Sequence, residues 1–396
     1  MRALDSPAQL AGVLEAAIAA GINHIETAPA YGPAEAYLGQ ALAALAERDP
    51  SARSALVLTS KLLPGPDLAS GQEQLRACLR RLGVARLDNL AVHGLNRPDH
   101  LDWALRGPGA ELLAWAEGEG LAGQVGFSSH GSPELIAAAL ASGRFGFASL
   151  HVHLFDQSRL PLARAALAAG MGVLAISPAD KGGRLYDPPA ELVADCAPFH
   201  PLELAYRFLL EQGISTLSLG AAQPGDLAWA ARLTAAPGHH GPPSPPAPAP
   251  EASAATPAGP DPGEAEVLAG AAPAATPEPD LPIAGALERL AAAGRGRLGA
   301  EACGQCRACL PCPSEVPIPE LLRLRNLAVG HGMTAFAQER YNLIGRAGHW
   351  WEERNATACA GCNACLPRCP HQLPIPALLA DTHRRLAAAP RRRLWG

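Results

Sequence analysis

The chain has 396 residues, a length typical of about two domains. Hydrophobic residues make up 48% of it, which is enough to form a sizeable core. Its formal net charge is −5 and no basic stripe stands out, so nucleic-acid binding has little electrostatic support. No apolar run approaches the ~20 residues of a membrane-spanning helix, and Met1–Asp5 lacks the basic and then apolar layout of a secretory signal. We therefore expect a soluble, cytoplasmic protein that binds neither nucleic acid nor membrane.

Residues 1–236 alternate β-rich runs with amphipathic stretches. The predicted strands are Asn23–Ala28, Ala55–Leu62, Asn89–Gly94, Val125–Ser129, Phe147–His153, Gly172–Pro178 and Ile214–Gly220. The predicted helices include Pro7–Ala20, Ala34–Glu47, Leu68–Gly83, Ser132–Ser142, Leu160–Ala169 and Pro201–Gln212. Regular β–α alternation indicates parallel strands joined by crossover helices. Strands of this number and spacing favour an α/β fold of the TIM type, a (β/α) barrel.

Two further regions follow the predicted barrel. Residues 237–281 are rich in Pro, Ala and Gly with scattered acids, and they offer too little large apolar surface to order themselves. This composition predicts a flexible, disordered linker. Residues 282–396 hold eight of the ten cysteines in two clusters that bracket a predicted helical segment, Ile318–Trp351. We expect a small α-helical domain there, with Trp350 and Trp351 packed in its core.

The spacing of these eight cysteines is typical of iron–sulfur ligation. The motifs read Cys303-x2-Cys306-x2-Cys309-x2-Cys312-Pro313 and Cys359-x2-Cys362-x2-Cys365-x3-Cys369-Pro370. Two-residue spacings let one loop wrap a cuboidal cluster and present three thiolates to it. In two-cluster ferredoxins the fourth ligand is the last cysteine of the other motif, and a proline follows it.

On that pattern, each of two [4Fe–4S] clusters takes thiolates from both motifs. One cluster is assigned Cys303, Cys306, Cys309 and Cys369, and the other is assigned Cys359, Cys362, Cys365 and Cys312. The competing interpretation is a pair of Cys₄ zinc sites, which need only paired CxxC units. A zinc site does not explain why each motif has a third cysteine at the same two-residue spacing, or why each motif ends in Cys-Pro. We therefore expect a ferredoxin-like electron-transfer domain.

Polar side chains follow three of the predicted barrel strands. Glu26 lies near the end of the first strand and Tyr31 follows it, Lys61 lies near the end of the second strand, and His93 near the end of the third. Catalytic groups of such barrels come from the C-terminal ends of several strands. A tyrosine hydroxyl has an unperturbed pKa near ~10. The ammonium of Lys61 is expected to lower that pKa, and Glu26 is expected to orient Lys61. His93 is expected to polarise a carbonyl oxygen. The tetrad therefore predicts a proton donor for a carbonyl group.

The segment Gly21–Gly32, GINHIETAPAYG, resembles the GINxxDTAxxYG segment of aldo/keto reductases, and the similarity continues through Val125–His130. With its cysteine motifs, the whole chain resembles the aldo/keto reductases that carry a C-terminal 4Fe–4S dicluster domain. The resemblance implies hydride transfer between NADP(H) or NAD(H) and a small carbonyl or alcohol substrate. It also implies that Tyr31 is the general acid, assisted by Lys61, His93 and Glu26. The implied cofactor contacts are Ser128, Ser129, Ser177 and Gly220.

The sequence departs from that family at three places. Position 26 is Glu where the family has Asp, which moves the carboxylate by one methylene. The family's first barrel strand and its glycine-rich turn have no counterpart in the sequence, so seven strands are expected. The loop Gly220–Leu227 has no Lys or Arg for the adenosine 2′-phosphate of NADP, although Gly220 and the following helix N-terminus can receive a phosphate through backbone N–H groups.

A second functional interpretation comes from a different class. The barrel is then a non-catalytic docking platform, and the protein transfers electrons to or from an electron-carrier protein. Outside the tetrad, His151 and His153 share one strand face and favour packing or hydrogen bonding over a pocket role. The loop Lys181–Arg184 either contacts an anion or lies in solvent. The isolated Cys78 is expected to be a buried small hydrophobe.

Overall fold

Seven parallel strands of the chain pair in sequence order to form a nearly closed barrel. The computed structural model describes residues 5–230, 233, 283–350 and 352–388. The predicted linker, 237–281, lies outside the described residues, as does Trp351. The strands are β1 (His24–Glu26), β2 (Val57–Leu62), β3 (Leu87–Val92), β4 (Ala122–Ser129), β5 (Phe147–Leu150), β6 (Gly172–Ala175) and β7 (Thr216–Leu217). The (β/α) barrel and its seven predicted strands are confirmed.

The register of the strands brings the polar strand ends to one face. Glu26 on β1 pairs with Thr59 on β2, and Lys61 on β2 pairs with Ala91 on β3. His93 follows β3 directly, and its N–H donates to the Leu62 carbonyl (2.7 Å). Because parallel strands run in step, their C-terminal ends meet at the same rim of the barrel.

Helices cover the outside of the sheet, and several begin at local capping signals. They are α1 (Pro7–Ala19), α2 (Ala34–Arg48), α3 (Pro50–Ser54), α4 (Leu68–Leu82), α5 (Pro98–Arg106), α6 (Pro108–Gly118), α7 (Pro133–Ala141), α8 (Leu160–Ala168), α9 (Ala190–Cys196) and α10 (Pro201–Glu211). The side chain of Ser6 accepts the N–H of Gln9 at the start of α1, and Asp67 caps α4 in the same way. No described helix is long and apolar enough to cross a bilayer.

The C-terminal region, residues 283–388, is helical. Its helices are α11 (Ala284–Leu298), α12 (Ile318–His331), α13 (Thr334–Tyr341) and α14 (Ile375–Leu386). The predicted helical segment Ile318–Trp351 is divided into three elements. Gly332 has a φ of 67° and ends α12, since glycine adopts the left-handed conformation at no steric cost. A 3₁₀ turn, Gly348–Trp350, follows α13.

The two cysteine motifs repeat one backbone conformation. Left-handed φ values occur at Gln305 (54°) and Arg307 (63°) in the first motif. They recur at Gly361 (68°) and Asn363 (60°), at the same distances from the first cysteine of the second motif. Each motif then leads into a helix that begins with Ile-Pro, α12 in one case and α14 in the other. The C-terminal region is therefore built from two similar halves.

The C-terminal region packs against the barrel. Buried apolar side chains of both regions belong to one continuous core. Arg297 of α11 pairs with Asp195 and Glu191 of α9 through contacts of 2.5 and 2.6 Å. Arg323 of α12 is 7% exposed, and its Nε lies 3.5 Å from Asp156 Oδ2 of the barrel. Apolar contact and ion pairs thus hold the cysteine motifs at a fixed place on the barrel.

Candidate active site and cluster-binding loops

Lys61 joins three members of the predicted tetrad. Its Nζ donates hydrogen bonds to Tyr31 Oη (3.1 Å) and to the carbonyl of Thr27 (3.0 Å), and it forms an ion pair with Glu26 Oε1. The Lys61 side chain is only 1% exposed. The structure thus brings Glu26, Tyr31 and Lys61 together, and the extra methylene of Glu26 does not prevent the ion pair.

His93 lies beside this group. Its ring meets the Tyr31 ring edge-on, with the centroids 5.8 Å apart. Burial lowers the pKa of His93 to about 3, and the charges of Lys61 and Lys181 act in the same direction. The imidazole is therefore uncharged at neutral pH, and its buried Nδ1 has no hydrogen-bond partner among the described residues. An uncharged imidazole beside Tyr31 is suited to hydrogen-bond a substrate oxygen.

The Tyr31 hydroxyl departs from its expected acidity. Burial raises the pKa of Tyr31, the charge of Glu26 raises it further, and Lys61 offsets only part of this. Burial lowers the pKa of Lys61, but Glu26 and Tyr31 outweigh burial and leave that pKa raised. The expected lowering of the Tyr31 pKa is wrong, because burial of the hydroxyl and the charge of Glu26 together outweigh the effect of Lys61. Tyr31 is held protonated, which is the form that a general acid needs.

A cavity of about 1070 Å³ opens at these side chains and is lined by all four tetrad residues. The cavity continues between the two edge strands of the sheet, β1 and β7, to the end of β7. Of the predicted cofactor contacts, Ser128, Ser177 and Gly220 line it. Ser129 does not, because its buried hydroxyl donates to the Leu95 carbonyl (2.6 Å). The volume and the continuity from the tetrad to Gly220 fit an elongated nicotinamide dinucleotide.

The cavity has further lining residues that the strand-end pattern does not single out. Lys181 reaches it from the loop after β6, Arg340 from α13, and Trp350 from the 3₁₀ turn. Lys181 has a sequence signal, since the loop Lys181–Arg184 is predicted either to contact an anion or to lie in solvent. Trp350 has none, because the turn meets the barrel at residues such as Asn96, whose partner His349 is 253 positions away. The expectation that Trp350 packs in the core of the C-terminal domain is therefore wrong, because its indole lies against the barrel at the cavity wall.

Three histidines extend from the cavity into the barrel. The Nε2 atoms of His130, which lines the cavity, and of buried His151 are 2.9 Å apart. Burial is the main cause that holds the pKa of each well below its ordinary value. One neutral ring therefore donates to the other. His153 Nε2 lies 3.0 Å from the carbonyl oxygen of Ile176, which agrees with the predicted hydrogen-bonding role.

Four cysteines from both motifs line one hollow, and they are the four assigned to the first cluster: Cys303, Cys306, Cys309 and Cys369. Asn326 of α12 orients this loop, because its Nδ2 donates to the Cys303 carbonyl (2.8 Å). A hollow ringed by thiols from two motifs fits a cuboidal cluster, which takes one thiolate for each of its four irons.

The other four cysteines are also neighbours. Burial raises the pKa of the Cys365 thiol, and the charges of Cys359, Cys312 and Cys362 raise it further. Cys312 of the first motif is thus close enough to Cys365 to affect its pKa, and the assignment of the second cluster stays a prediction. Within the part of the chain that the structure describes, no three His, Cys, Asp or Glu side chains are gathered closely enough to hold a single metal ion.

Comparison with known protein families finds one match in the barrel region and one in the region of the cysteine motifs. Residues 5–191 match the aldo/keto reductase family, and residues 302–373 match the 4Fe–4S dicluster domain. The chain thus joins a region that matches the aldo/keto reductase family to a region that matches the 4Fe–4S dicluster domain. The resemblance seen in the sequence is thereby confirmed, and the two domains together are those of an iron–sulfur oxidoreductase. No curated protein matches the chain.

The aldo/keto reductase part is also similar to solved structures. The holo form of aldo-keto reductase AKR11C1 from Bacillus halodurans is 19% identical, with a TM-score of 0.49, and the match covers 58% of this chain and 83% of that chain. Bombyx mori aldo-keto reductase AKR2E4 in complex with NADP is 21% identical, with a TM-score of 0.48 and coverages of 58% and 78%. A putative aldo-keto reductase from Pseudomonas aeruginosa is 24% identical, with a TM-score of 0.46 and coverages of 58% and 85%.

Proposed function

We propose that this protein interconverts a small carbonyl compound and its alcohol by nicotinamide hydride transfer, and that it exchanges single electrons through two [4Fe–4S] clusters. The observation that carries the proposal is the contact of buried Lys61 with both Glu26 and Tyr31 at the wall of a cavity. When bound, NADP(H) or NAD(H) supplies or accepts the hydride, and the clusters carry electrons one at a time.

The barrel residues handle the proton. In the reducing direction, Tyr31 gives its hydroxyl proton to the carbonyl oxygen as hydride adds to the carbon, so the product is an alcohol. Lys61 stabilises the phenolate that remains on Tyr31, and Glu26 keeps Lys61 charged. Uncharged His93 hydrogen-bonds the same oxygen and orients it toward Tyr31. In the oxidising direction the proton returns to Tyr31.

The cysteine motifs support the electron-transfer part of the proposal. The hollow lined by Cys303, Cys306, Cys309 and Cys369 takes cysteines from both motifs, which supports a cluster with ligands from each motif. Cys306 and Cys362 are exposed, whereas Cys309 and Cys365 are buried. One thiol of each assigned set of four therefore reaches the surface, where an electron-carrier protein can approach.

The test uses anaerobically purified, iron-loaded protein. NADPH and NADH oxidation are followed with benzaldehyde and with acetaldehyde. Tyr31→Phe removes the proton donor, and we expect kcat to fall by about 10²–10⁴ with unchanged iron content. Tyr37→Phe, on α2, is the matched control and should leave kcat unchanged. Bleaching of the cluster absorbance by NADPH would support coupling between the two sites.

The alternative, an electron-transfer protein with a docking barrel, predicts other results. Neither nicotinamide would then bind or bleach the clusters, and Tyr31→Phe would alter no activity. Iron would still be present at about eight per chain. That combination would reject the carbonyl chemistry while keeping the clusters, and zinc without iron would reject both.

A further inference from the structure

The turn Gly348–Trp350 of the C-terminal region is seated on the barrel rim by specific contacts. Asn96, in the loop after β3, donates from Nδ2 to the carbonyl of His349 (3.2 Å) and accepts the N–H of His130 at Oδ1 (2.6 Å). The His349 ring also meets His100 edge-on, with centroids 5.3 Å apart. One barrel side chain thus fixes the turn and the loop after β4 together.

Gly94 makes room for the indole of Trp350. A Cβ atom at position 94 would lie 2.5 Å from Trp350 Cη2, closer than real Cβ contacts come. Gly94 also has a φ of 69°, a conformation that L side chains rarely adopt. Its N–H is held by Ser128 Oγ (3.0 Å) and its carbonyl by His100 Nδ1 (2.8 Å). The backbone at position 94 is therefore fixed, and any added side chain must displace the indole.

Trp350 lies over the histidines of the active site. Its ring meets His93 with centroids 5.2 Å apart, and it meets His130 at 5.6 Å, both in edge-to-face geometry. His93 in turn meets Tyr31 edge-on. The indole lines the cavity together with these three residues. It forms an aromatic wall next to the place where a carbonyl must lie to reach both Tyr31 and His93.

We propose that Trp350, which the C-terminal region contributes, is the substrate-positioning residue of the barrel, and that it selects carbonyl compounds with a flat apolar or aromatic substituent. This inference rests on the proposed carbonyl chemistry. A flat substituent stacks or packs edge-on against the indole, while the carbonyl points to Tyr31 and His93. A small aldehyde leaves the indole without a contact and gains nothing from it.

The first test compares kinetics with benzaldehyde and acetaldehyde. Trp350→Ala should raise the KM for benzaldehyde about tenfold, equivalent to about 1.4 kcal/mol. It should change the KM for acetaldehyde less than about threefold, and kcat with either substrate little. Gly94→Ala should produce the same change in selectivity with the indole still in the chain. Trp115→Ala is the matched control, because Trp115 is also half-buried but packs against Arg76, away from the cavity.

Equal losses with both aldehydes, or equal effects of Trp350→Ala and Trp115→Ala, would overturn the inference. A second measurement separates it from the proposed function. In a Tyr31→Phe background, which cannot donate the proton, benzaldehyde should quench part of the tryptophan fluorescence. That quenching should vanish on adding Trp350→Phe and persist on adding Trp115→Phe. If no variant or wild-type protein reduces any aldehyde, the carbonyl chemistry fails, and this quenching alone decides the role of Trp350: its presence supports the role, and its absence overturns it.

Discussion

The barrel site and the cysteine motifs gather their polar side chains in opposite ways. Glu26, Lys61 and His93 come from three successive strands and meet only because the sheet brings the strand ends to one rim. Each cysteine motif instead places three thiols within seven residues of one loop. The barrel site therefore draws its geometry from the fold, whereas each cysteine loop draws much of its order from the group that it binds.

This difference implies that the two sites fail separately. A change in the tetrad should alter chemistry with the clusters intact, and loss of a thiolate should alter the clusters with the barrel folded. Only a change at a contact between the regions, such as Arg323 with Asp156, should affect both regions at once. The following experiments test the comparison, from the largest expected effect to the smallest.

Removal of single thiolates should show which motif serves which cluster. Cys312→Ala and Cys365→Ala should each cost about four of about eight irons and should leave the same electron paramagnetic resonance signal after reduction. Cys369→Ala should leave the other signal. Cys196→Ala, a buried thiol outside the motifs, should keep all the iron. If Cys312→Ala and Cys365→Ala leave different signals, the cross-motif assignment is wrong.

Glu26→Gln should damage the barrel site alone. It keeps the shape of the side chain but leaves the buried Lys61 ammonium without its counter-ion. We expect kcat for carbonyl reduction to fall by about 100-fold, the scale on which misplaced or mistuned proton-transfer groups act. Iron content and the cluster spectrum should not change. Glu26→Asp retains the charge, so it should lose much less; equal losses for Gln and Asp would refute the ion-pair explanation.

Arg323→Ala should weaken the joint between the regions. Burial alone would raise the pKa of Asp156, but Arg323, Arg159 and His153 lower it to about 2. This stabilisation is present above the ordinary pKa of 3.8 and is lost as pH falls through about 2. At pH 7 the variant should lose about 2 kcal/mol of unfolding free energy, since Arg159 remains as a partner.

The measurement is chemical denaturation of iron-loaded protein at pH 7. Arg106→Ala, which removes an exposed pair with Asp102, should change the unfolding free energy by less than about 0.5 kcal/mol. An Arg323→Ala effect as small as this control would mean that the Arg323–Asp156 pair does not stabilise the contact between the regions.

Glu352→Gln should alter how stability depends on pH. Burial raises the pKa of Glu352 to about 7, and Glu320 adds to this. The folded state therefore keeps a proton that the unfolded state releases near pH 4.5, so stability falls as pH rises from 4.5 toward 7. Between pH 5.5 and pH 8, this effect should lower the unfolding free energy of the wild type by about 2 kcal/mol. Melting temperatures at pH 5.5 and 8 should differ less in Glu352→Gln than in wild type, whereas the exposed neighbour variant Glu353→Gln should behave like wild type.

The fold was readable from the sequence where the periodicity is local. Each predicted strand is observed, although Phe147–His153 ends at Leu150 and Ile214–Gly220 shortens to Thr216–Leu217. Polar or proline-containing ends of β-rich runs continue the extended backbone without the pairing that defines a strand. The helix pair α5 and α6, divided by a turn at Gly107, is not among the predicted helices.

The candidate site was readable only in part. Strand-end position and family resemblance place Tyr31 and Lys61 together, but they do not show how deeply the Tyr31 hydroxyl is buried, so the predicted direction of its pKa shift is wrong. Ser129 neighbours Ser128 in sequence, yet alternation along β4 turns its hydroxyl to Leu95 instead of the cavity. Trp350 enters the cavity through contacts between regions, and no local pattern encodes such a contact.

Gly94 carries a consequence for reading other sequences. Its left-handed φ by itself tolerates asparagine or aspartate in many proteins, but the indole above it excludes even a methyl group. In proteins built on the same plan, glycine at this position and tryptophan in the turn after α13 should therefore be gained and lost together. Any residue other than glycine at the position of Gly94 would indicate a barrel whose rim is not covered by such a tryptophan. The identities of these two residues therefore test for docking of the C-terminal region from the sequence alone.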